Sequence, residues 1–261
     1  MGICSSIHWS FGPSSLFGEL GIKMMLKMKI PLYEDGKGFV ELVDAVGSDL
    51  SVVNSARVSF GKHKTELDEK DKKLIKYLIK HKHTSTLEHC FVTFRVKVPL
   101  FVRSQHHRHR TWSYNEISRR YTDFDIQFYE PEAFRTQHKS NRQASNAEEL
   151  INPKINWFVA RNPSPTVSDC VKDHHIKSLQ LFNHLIEAGV CREQARGVLP
   201  QNMYTEYYAS ANLNNILKFI DLRTHEGAQK EIQDMAKGML KIITKLYPVT
   251  VGAYREVRGN V

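Results

Sequence analysis

Cys90-Phe91-Val92-Thr93-Phe94-Arg95-Val96-Lys97-Val98-Pro99 reads as a strand buried on one face. Cys90, Val92, Phe94, Val96 and Val98 point one way, and Thr93, Arg95 and Lys97 the other, because side chains alternate across a pleat. Phe91 is the one large apolar residue on the polar side, and Pro99 ends the run. Leu100 to His107 then reads as a helix.

Outward from this strand the chain alternates between helical and extended patterns. Asp35-Gly36-Lys37-Gly38 is a turn signal, and Phe39 to Val43 alternates as a strand. Asp49 or Ser51 can cap a helix running to Phe60. Glu66, Asp68, Glu69 and Asp71 open a further helix and Lys80, His81 and Lys82 close it, an order that complements the helix dipole; its stripe is Leu74, Ile75, Leu78 and Ile79. Phe124, Ile126 and Phe128 alternate with Asp125 and Gln127 as a strand. Residues 135–165 read as a long polar loop, ended by Asn162-Pro163-Ser164-Pro165. Ser168 caps a helix with the stripe Val171, Leu179, Phe182, Leu185 and Ile186, stopped by Gly189. A short helix from Cys191 to Val198, a strand from Tyr204 to Ala211 and a helix from Leu213 to Leu222 follow. Ile232, Met235, Ala236, Met239, Leu240, Ile243 and Leu246 mark the last helix, halted before Pro248. Strands with a helical excess and no internal repeat make a mixed α/β or α+β domain.

Between these elements lies Arg108-His109-Arg110-Thr111-Trp112-Ser113-Tyr114-Asn115-Glu116-Ile117-Ser118-Arg119-Arg120-Tyr121. It has no apolar face, so it reads as a polar loop rather than a core element. Arginine forks among amide, carboxylate and hydroxyl groups suit a phosphorylated, hydrogen-bonding small molecule. The plainer alternative is that Arg108 to Arg110 cap a helix end.

The chain has 261 residues, 41% of them hydrophobic and 25% charged, so it can bury a sizeable core. Its net charge of +9 points to an anionic partner. No apolar run approaches the length of a membrane span. Cys4, Cys90, Cys170 and Cys191 lack zinc or thioredoxin spacing, which, without a secretory signal, suggests reduced thiols and a cytoplasmic location. Residues 1–27, rich in Ser and Gly, read as a disordered leader, with the domain spanning 28–261. Met1-Gly2-Ile3-Cys4-Ser5-Ser6 fits a loose acylation pattern, and Met24, Met25 or Met28 offer alternative starts.

His106, His107 and His109 invite a metal reading, but flanking arginines repel a divalent cation and no metal is expected. Arg103, Arg108 and Arg110 beside Trp112 and Tyr114 allow single-stranded nucleic-acid binding. Glu116 and Glu88 argue against it, since a phosphate-tracking groove has no use for carboxylates among its cations. A Gly-x-Ser-x-Gly elbow, a dinucleotide Gly motif and a P-loop are all missing.

Arg108-His109-Arg110, Thr111 to Ile117, then Ser118 resembles the signature of the flavin-dependent thymidylate synthases. The resemblance extends to His83-Thr84-Ser85-Thr86-Leu87-Glu88-His89, to Pro99-Leu100-Phe101-Val102 with Gln105, to Ala195-Arg196-Gly197-Val198-Leu199-Pro200, and to Asn212 through Arg223 and Ala228-Gln229-Lys230-Glu231-Ile232. Several blocks in order, over about Lys29 to Pro248, are far more specific than one short motif. The resemblance implies a helical domain around an antiparallel or mixed sheet, not a Rossmann fold. It implies dTMP synthesis from dUMP, with methylene-tetrahydrofolate as carbon donor, FAD as hydride carrier and NADPH as reductant. It implies a homotetramer with shared active sites, no nucleic-acid partner and no membrane.

Position by position, the resemblance assigns Gln105, Arg108, Glu116, Ser118, Arg119, Arg120, Arg196 and Arg223 to dUMP. It assigns His83, Ser85, Glu88, Arg108, His109, Arg110, Glu116, Asn212 and Asn214 to the flavin or folate, so Arg108 and Glu116 serve both ligands. Arg223 takes the catalytic place, a fixed cation that favours the ionised pyrimidine ring and makes it nucleophilic without an enzyme thiol. The chain departs from the family pattern with Asn214 for an arginine, Lys218 for an asparagine, Gly227-Ala228-Gln229 for His-Ala-Gln, and Ser104 for an arginine.

Overall fold

The computed structural model describes residues 28–142, 144–156 and 163–259, so the leader lies outside it. A five-stranded sheet has the order β1-β2-β3-β7-β4, from β1 (Lys29–Pro31), β2 (Phe39–Val46), β3 (Phe91–Pro99), β7 (Tyr204–Asn212) and β4 (Ser113–Glu116). Every neighbouring pair in it is antiparallel. The strand expected at 90–98 is the middle one. Cys90, Val92, Phe94, Val96 and Val98 are fully buried. Phe94 pairs with Ala209 on one side and Leu42 on the other, and Val96 with Tyr207 and Val40.

The helices that cover the apolar face are α1 (Asp49–Arg57), α2 (Glu69–Lys80), α3 (Leu100–His106), α6 (Leu213–Thr224), α7 (Lys230–Leu246) and α8 (Pro248–Arg258). They share one core with the sheet, including Val53, Ile75, Ile216, Phe219, Met235, Met239 and Val251. A smaller cluster of Phe128, Phe182, Ala195, Leu199 and Met203 gathers around α4 (Val167–Glu187) and α5 (Arg192–Ala195). Among the described residues no helix is long and apolar enough to cross a membrane.

Several expectations are corrected. The polar stretch after α3 contains β4, paired with β7 from Ser113↔Ser210 to Glu116↔Tyr207. Its position at the sheet edge explains its composition, since an edge strand needs no apolar face on both sides. Trp112, just before it, is buried. Residues 124–128 are not a strand. Asp125 sits at φ +52°, and Arg119 takes the Phe124 and Asp125 carbonyls that a ladder would use. Only Phe128 forms an isolated bridge, to Met203. Part of the expected loop at 135–165 is a hairpin of β5 (Phe134–Gln137) and β6 (Ser145–Ile151).

Helix starts shift by a residue or two. Ser48 caps α1 in a box with Ser51, and Asp68 caps α2 in a box with Asp71. Thr166 rather than Ser168 caps α4, and buried Ser168 bonds to Asn152 instead. Pro248 ends α7 but also opens α8 at its first turn, where proline's missing N–H costs nothing.

Candidate active site

Helix α3 leaves β3 directly, and β4 returns beside β7, so the connection between them stands at one end of the sheet. Tyr114 fixes that connection by donating its hydroxyl to the carbonyls of His106 and His109, at 2.9 and 3.1 Å. His106 is fully buried with Nδ1 2.9 Å from the Tyr207 hydroxyl, and His107 packs its ring on Tyr114 at 4.1 Å. These histidines are packing groups.

A cleft of about 530 Å³ opens on one side of this connection, lined among others by Arg103, Glu116, Ser118, Arg119, Arg196 and Gln201. Glu116 is held from two directions. Arg103 Nε lies 3.1 Å from its Oε1, and Thr205 Oγ1 donates to the same oxygen at 2.6 Å. Ser118 accepts from the Arg120 N–H at 3.3 Å. Arg196 is exposed at the start of a 3₁₀ turn (Arg196–Val198) that follows α5. Arg119 is buried, and its guanidinium holds the carbonyls of the next loop, while its Nε has no partner. Burial lowers its basicity. Arg120 points to solvent and pairs with Glu193 at 3.2 Å.

At the C-terminal end of α6, Arg223 donates from Nε to His109 Nε2 at 3.2 Å and from its terminal nitrogen to the Gln105 carbonyl at 3.1 Å. Burial, and then the charge of Arg223, hold His109 down to about 4, so it is a neutral acceptor at ordinary pH. Arg223 is itself made less basic by burial and by neighbouring Arg108. Among the described residues neither Arg108 nor Arg223 has a carboxylate partner. The Gln105 side chain donates to Gln229 Oε1 at 2.5 Å, and Gln229 donates to Glu231 Oε2 at 2.9 Å.

At the other end of α6, Asn214 is buried and donates to Glu88 Oε1 at 2.8 Å. Asn212 is the helix cap and accepts from the Asn215 N–H at 2.9 Å. His83 opens, and Ser85 sits within, a 3₁₀ turn (Thr84–Leu87) that precedes Glu88. His83, Ser85, Glu88, Arg108 and Arg110 are all exposed. Asn214 and Arg223 stand about 14 Å apart along the helix, at 1.5 Å per residue. The assigned residues therefore fall into separate groups: the cleft, the Arg223 cluster and the Glu88–Asn214 pair.

Sequence reading missed Arg103, Thr205, Glu231 and Arg135 as members of these groups. Gln229 and Glu231 lie inside a block quoted for the family resemblance, yet nothing local marks them. Their partners come from α3 and from β5. Cys90 is buried, its thiol pushed up to about 11 chiefly by burial, Cys170 is buried and Cys191 is exposed. The cleft is lined by none of them.

The model of the thymidylate synthase complementing protein family matches residues 41–249. A flavin-dependent thymidylate synthase of Thermus thermophilus is 40% identical over 229 residues, covering 88% of this chain and 79% of that one. Another from Kosmotoga olearia is 42% identical over 227 residues, covering 87% and 93%. The crystal structure of a UMP/dUMP methylase, PolB from Streptomyces cacaoi, bound with 5-Br dUMP, is similar with a TM-score of 0.69 and 32% identity, over 83% of this chain and 94% of that one. Together with the antiparallel sheet and the grouping of Arg108, His109 and Arg223, these matches place the chain in the family of the flavin-dependent thymidylate synthases.

Proposed function

We propose that this chain catalyses reductive methylation of dUMP to dTMP, with methylene-tetrahydrofolate as carbon donor, FAD as hydride carrier and NADPH as reductant. The observation that carries the reading is the pair Arg108 and Arg223. They are close enough for one to lower the other's basicity, and among the described residues neither has a carboxylate partner. Cations without such a counter-charge suit an anionic nucleotide or flavin. The domain 28–261 would act as a homotetramer in the cytoplasm. Sites shared between subunits would bring the Glu88–Asn214 group of one chain to the Arg223 cluster of another.

In this reading His83, Ser85, Glu88, Arg108, His109, Arg110, Glu116, Asn212 and Asn214 hold the flavin and folate. Gln105, Arg108, Glu116, Ser118, Arg119, Arg120, Arg196 and Arg223 hold dUMP. The reduced flavin, when bound, supplies the hydride. The work of the chain's own residues is positional and electrostatic. Neutral His109 fixes Arg223 by accepting from Nε, which leaves other N–H groups of the guanidinium to face the pyrimidine. That charge favours the ionised ring and makes its carbon nucleophilic without a cysteine. Glu116, clamped by Arg103 and Thr205, keeps its second oxygen for a ligand donor. The Arg103–Glu116 pair also counts against a nucleic-acid groove, because it sets a carboxylate among the cleft's cations.

The test is direct. Purified protein should be yellow, its flavin absorbance bleached by NADPH, and it should release tritium from dUMP labelled at the ring when folate and reductant are present. Colourless protein after addition of FAD, with no tritium released from dUMP or UMP, would overturn the reading.

Arg120→Lys is expected to weaken dUMP binding about tenfold, because an ammonium cannot reproduce the bidentate fork on phosphate. The Glu193 pair is exposed and contributes little to stability, so the melting temperature should not move. Equal dUMP affinity in a calorimetric titration would remove Arg120 from the phosphate site.

A further inference from the structure

Glu231 is a nearly buried carboxylate at the start of α7, a place where the thymidylate reaction as proposed does not use it. Its Oε1 and Oε2 accept from Arg135 of the β5–β6 hairpin at 2.7 and 3.0 Å, and Tyr129 lies 3.3 Å from Oε1. Oε2 also accepts from Gln229 Nε2, and Gln229 Oε1 accepts from Gln105 Nε2. A carboxylate paired with arginine can only accept. Gln229 must therefore turn its NH₂ towards Glu231 and its carbonyl towards Gln105. Gln105 must in turn offer its NH₂ to Gln229. An amide that is otherwise free to flip has its polarity set from two residues away.

We infer that the Glu231–Gln229 relay is a specificity device: it fixes Gln105 with Oε1 outward, as an acceptor for the N3–H of the neutral uracil ring as the nucleotide binds, before Arg223 favours the ionised form. The inference rests on the reading of Gln105 as a dUMP contact. In support, Gln105 Oε1 has no partner among the described residues, and the Gln105 backbone carbonyl is tied to Arg223, the residue proposed to face the ring. Uracil presents a donor at N3 flanked by carbonyl acceptors, whereas cytosine presents an acceptor at N3 beside an amino donor. An unanchored amide can flip to suit either base. An anchored one opposes its outward acceptor to the cytosine N3 acceptor and leaves that group unpaired. Arg135, from the β5–β6 hairpin, holds the far end of the relay. Gln229 and Glu231 are positioning residues and touch no substrate.

The experiment measures dUMP and dCMP affinities of the flavin-loaded protein by calorimetry, for the natural chain, Gln229→Met, Gln229→Asn, Gln105→Met and the double variant Gln105→Met with Gln229→Met. Gln229→Met keeps the volume and the Glu231–Arg135 pair but cannot pass on polarity. Gln229→Asn keeps the amide but is too short to span, and it gives the readout if the Met variant fails to fold. Each single variant should narrow the preference for dUMP over dCMP about tenfold, the loss of one directed hydrogen bond. The double variant should show no further narrowing, because both changes cut the same chain. A purely structural role for Gln229 would lower both affinities together and leave their ratio intact, which overturns the relay. If Gln105→Met keeps the natural ratio while dUMP still binds, the relay is overturned and the thymidylate reading stands. If the natural chain binds no dUMP, both fall.

Discussion

Arg223→Ala should lower turnover by at least a hundredfold while the protein still purifies with its flavin. Removing one preorganised donor from a site that stabilises developing charge typically costs on the order of 10² to 10³ in rate. Arg223 stands at the end of α6, where its guanidinium is aligned by His109 Nε2 and the Gln105 carbonyl. Arg223 is not itself a core residue, and the helix beneath it is held by Ile216, Leu217, Phe219 and Ile220. The fold should therefore survive. Loss of Arg223 also removes the charge that helps hold His109 at about 4. Burial continues to depress it, so its pKa should rise only part of the way to the ordinary imidazole value. The His109 signal followed by NMR reads that shift independently of activity. Arg223→Lys should restore little of the rate, because a lysine cannot keep both bonds and still face the ring. A rate within threefold of the natural chain in Arg223→Ala would remove Arg223 from the chemistry.

What could be read from the sequence was what neighbours in sequence decide. The alternation of Cys90 to Val98 predicts the central strand because a sheet face is a period of two, visible within ten residues. The stripe Ile75, Leu78 and Ile79 and the long run from Ile232 to Ile243 predict their helices for the same local reason, and these residues are buried in the core. Elements decided at a distance escaped. β4 is a strand only because β7 offers it an edge, and its own residues carry no apolar period. The 134–151 hairpin is mostly polar, with no apolar alternation along its strands, and is tied to the body through Arg135 and Glu231, almost a hundred residues apart. Phe124 to Phe128 carried the right alternation but lost it to Arg119, whose guanidinium takes two of the segment's carbonyls. The candidate site follows the same rule. Residue types alone marked the stretch from Arg108 as suited to a phosphorylated ligand, but the separate roles of Arg108, His109 and Arg223 came from family resemblance. Arg103, Thr205 and Glu231 became members only once the fold brought them to Glu116 and Gln229.

Asp49→Ala should destabilise the chain by about 3–5 kcal/mol, the usual cost of leaving buried donors of a carboxylate without their partner. Asp49 is 5% exposed and sits in the first turn of α1, two hundred residues from what it binds. Its carboxylate accepts from the Val249 N–H at 3.0 Å, and from the Thr250 N–H and hydroxyl at 2.8 and 2.5 Å. The two N–H groups belong to the first turn of α8, where no intrahelical acceptor exists. Pro248 supplies no donor and α8 has no side-chain cap of its own, so Asp49 acts as the cap from outside. Alanine leaves two backbone donors and a hydroxyl facing a small cavity between α1 and α8. At about 2–4 °C per kcal/mol for a chain of this size, the melting temperature should fall by roughly 10 °C. Asp49→Asn keeps one acceptor oxygen and should lose less than half as much. Because α8 packs on α2 and α7, and α7 carries Glu231, the loss should spread beyond the C-terminal helix as a lower midpoint of one cooperative transition. Below that transition flavin content and dUMP affinity should match the natural chain, since none of the proposed ligand contacts touches Asp49. A fall of less than 2 °C would mean that water replaces the carboxylate, and that α8 is held by its apolar face alone.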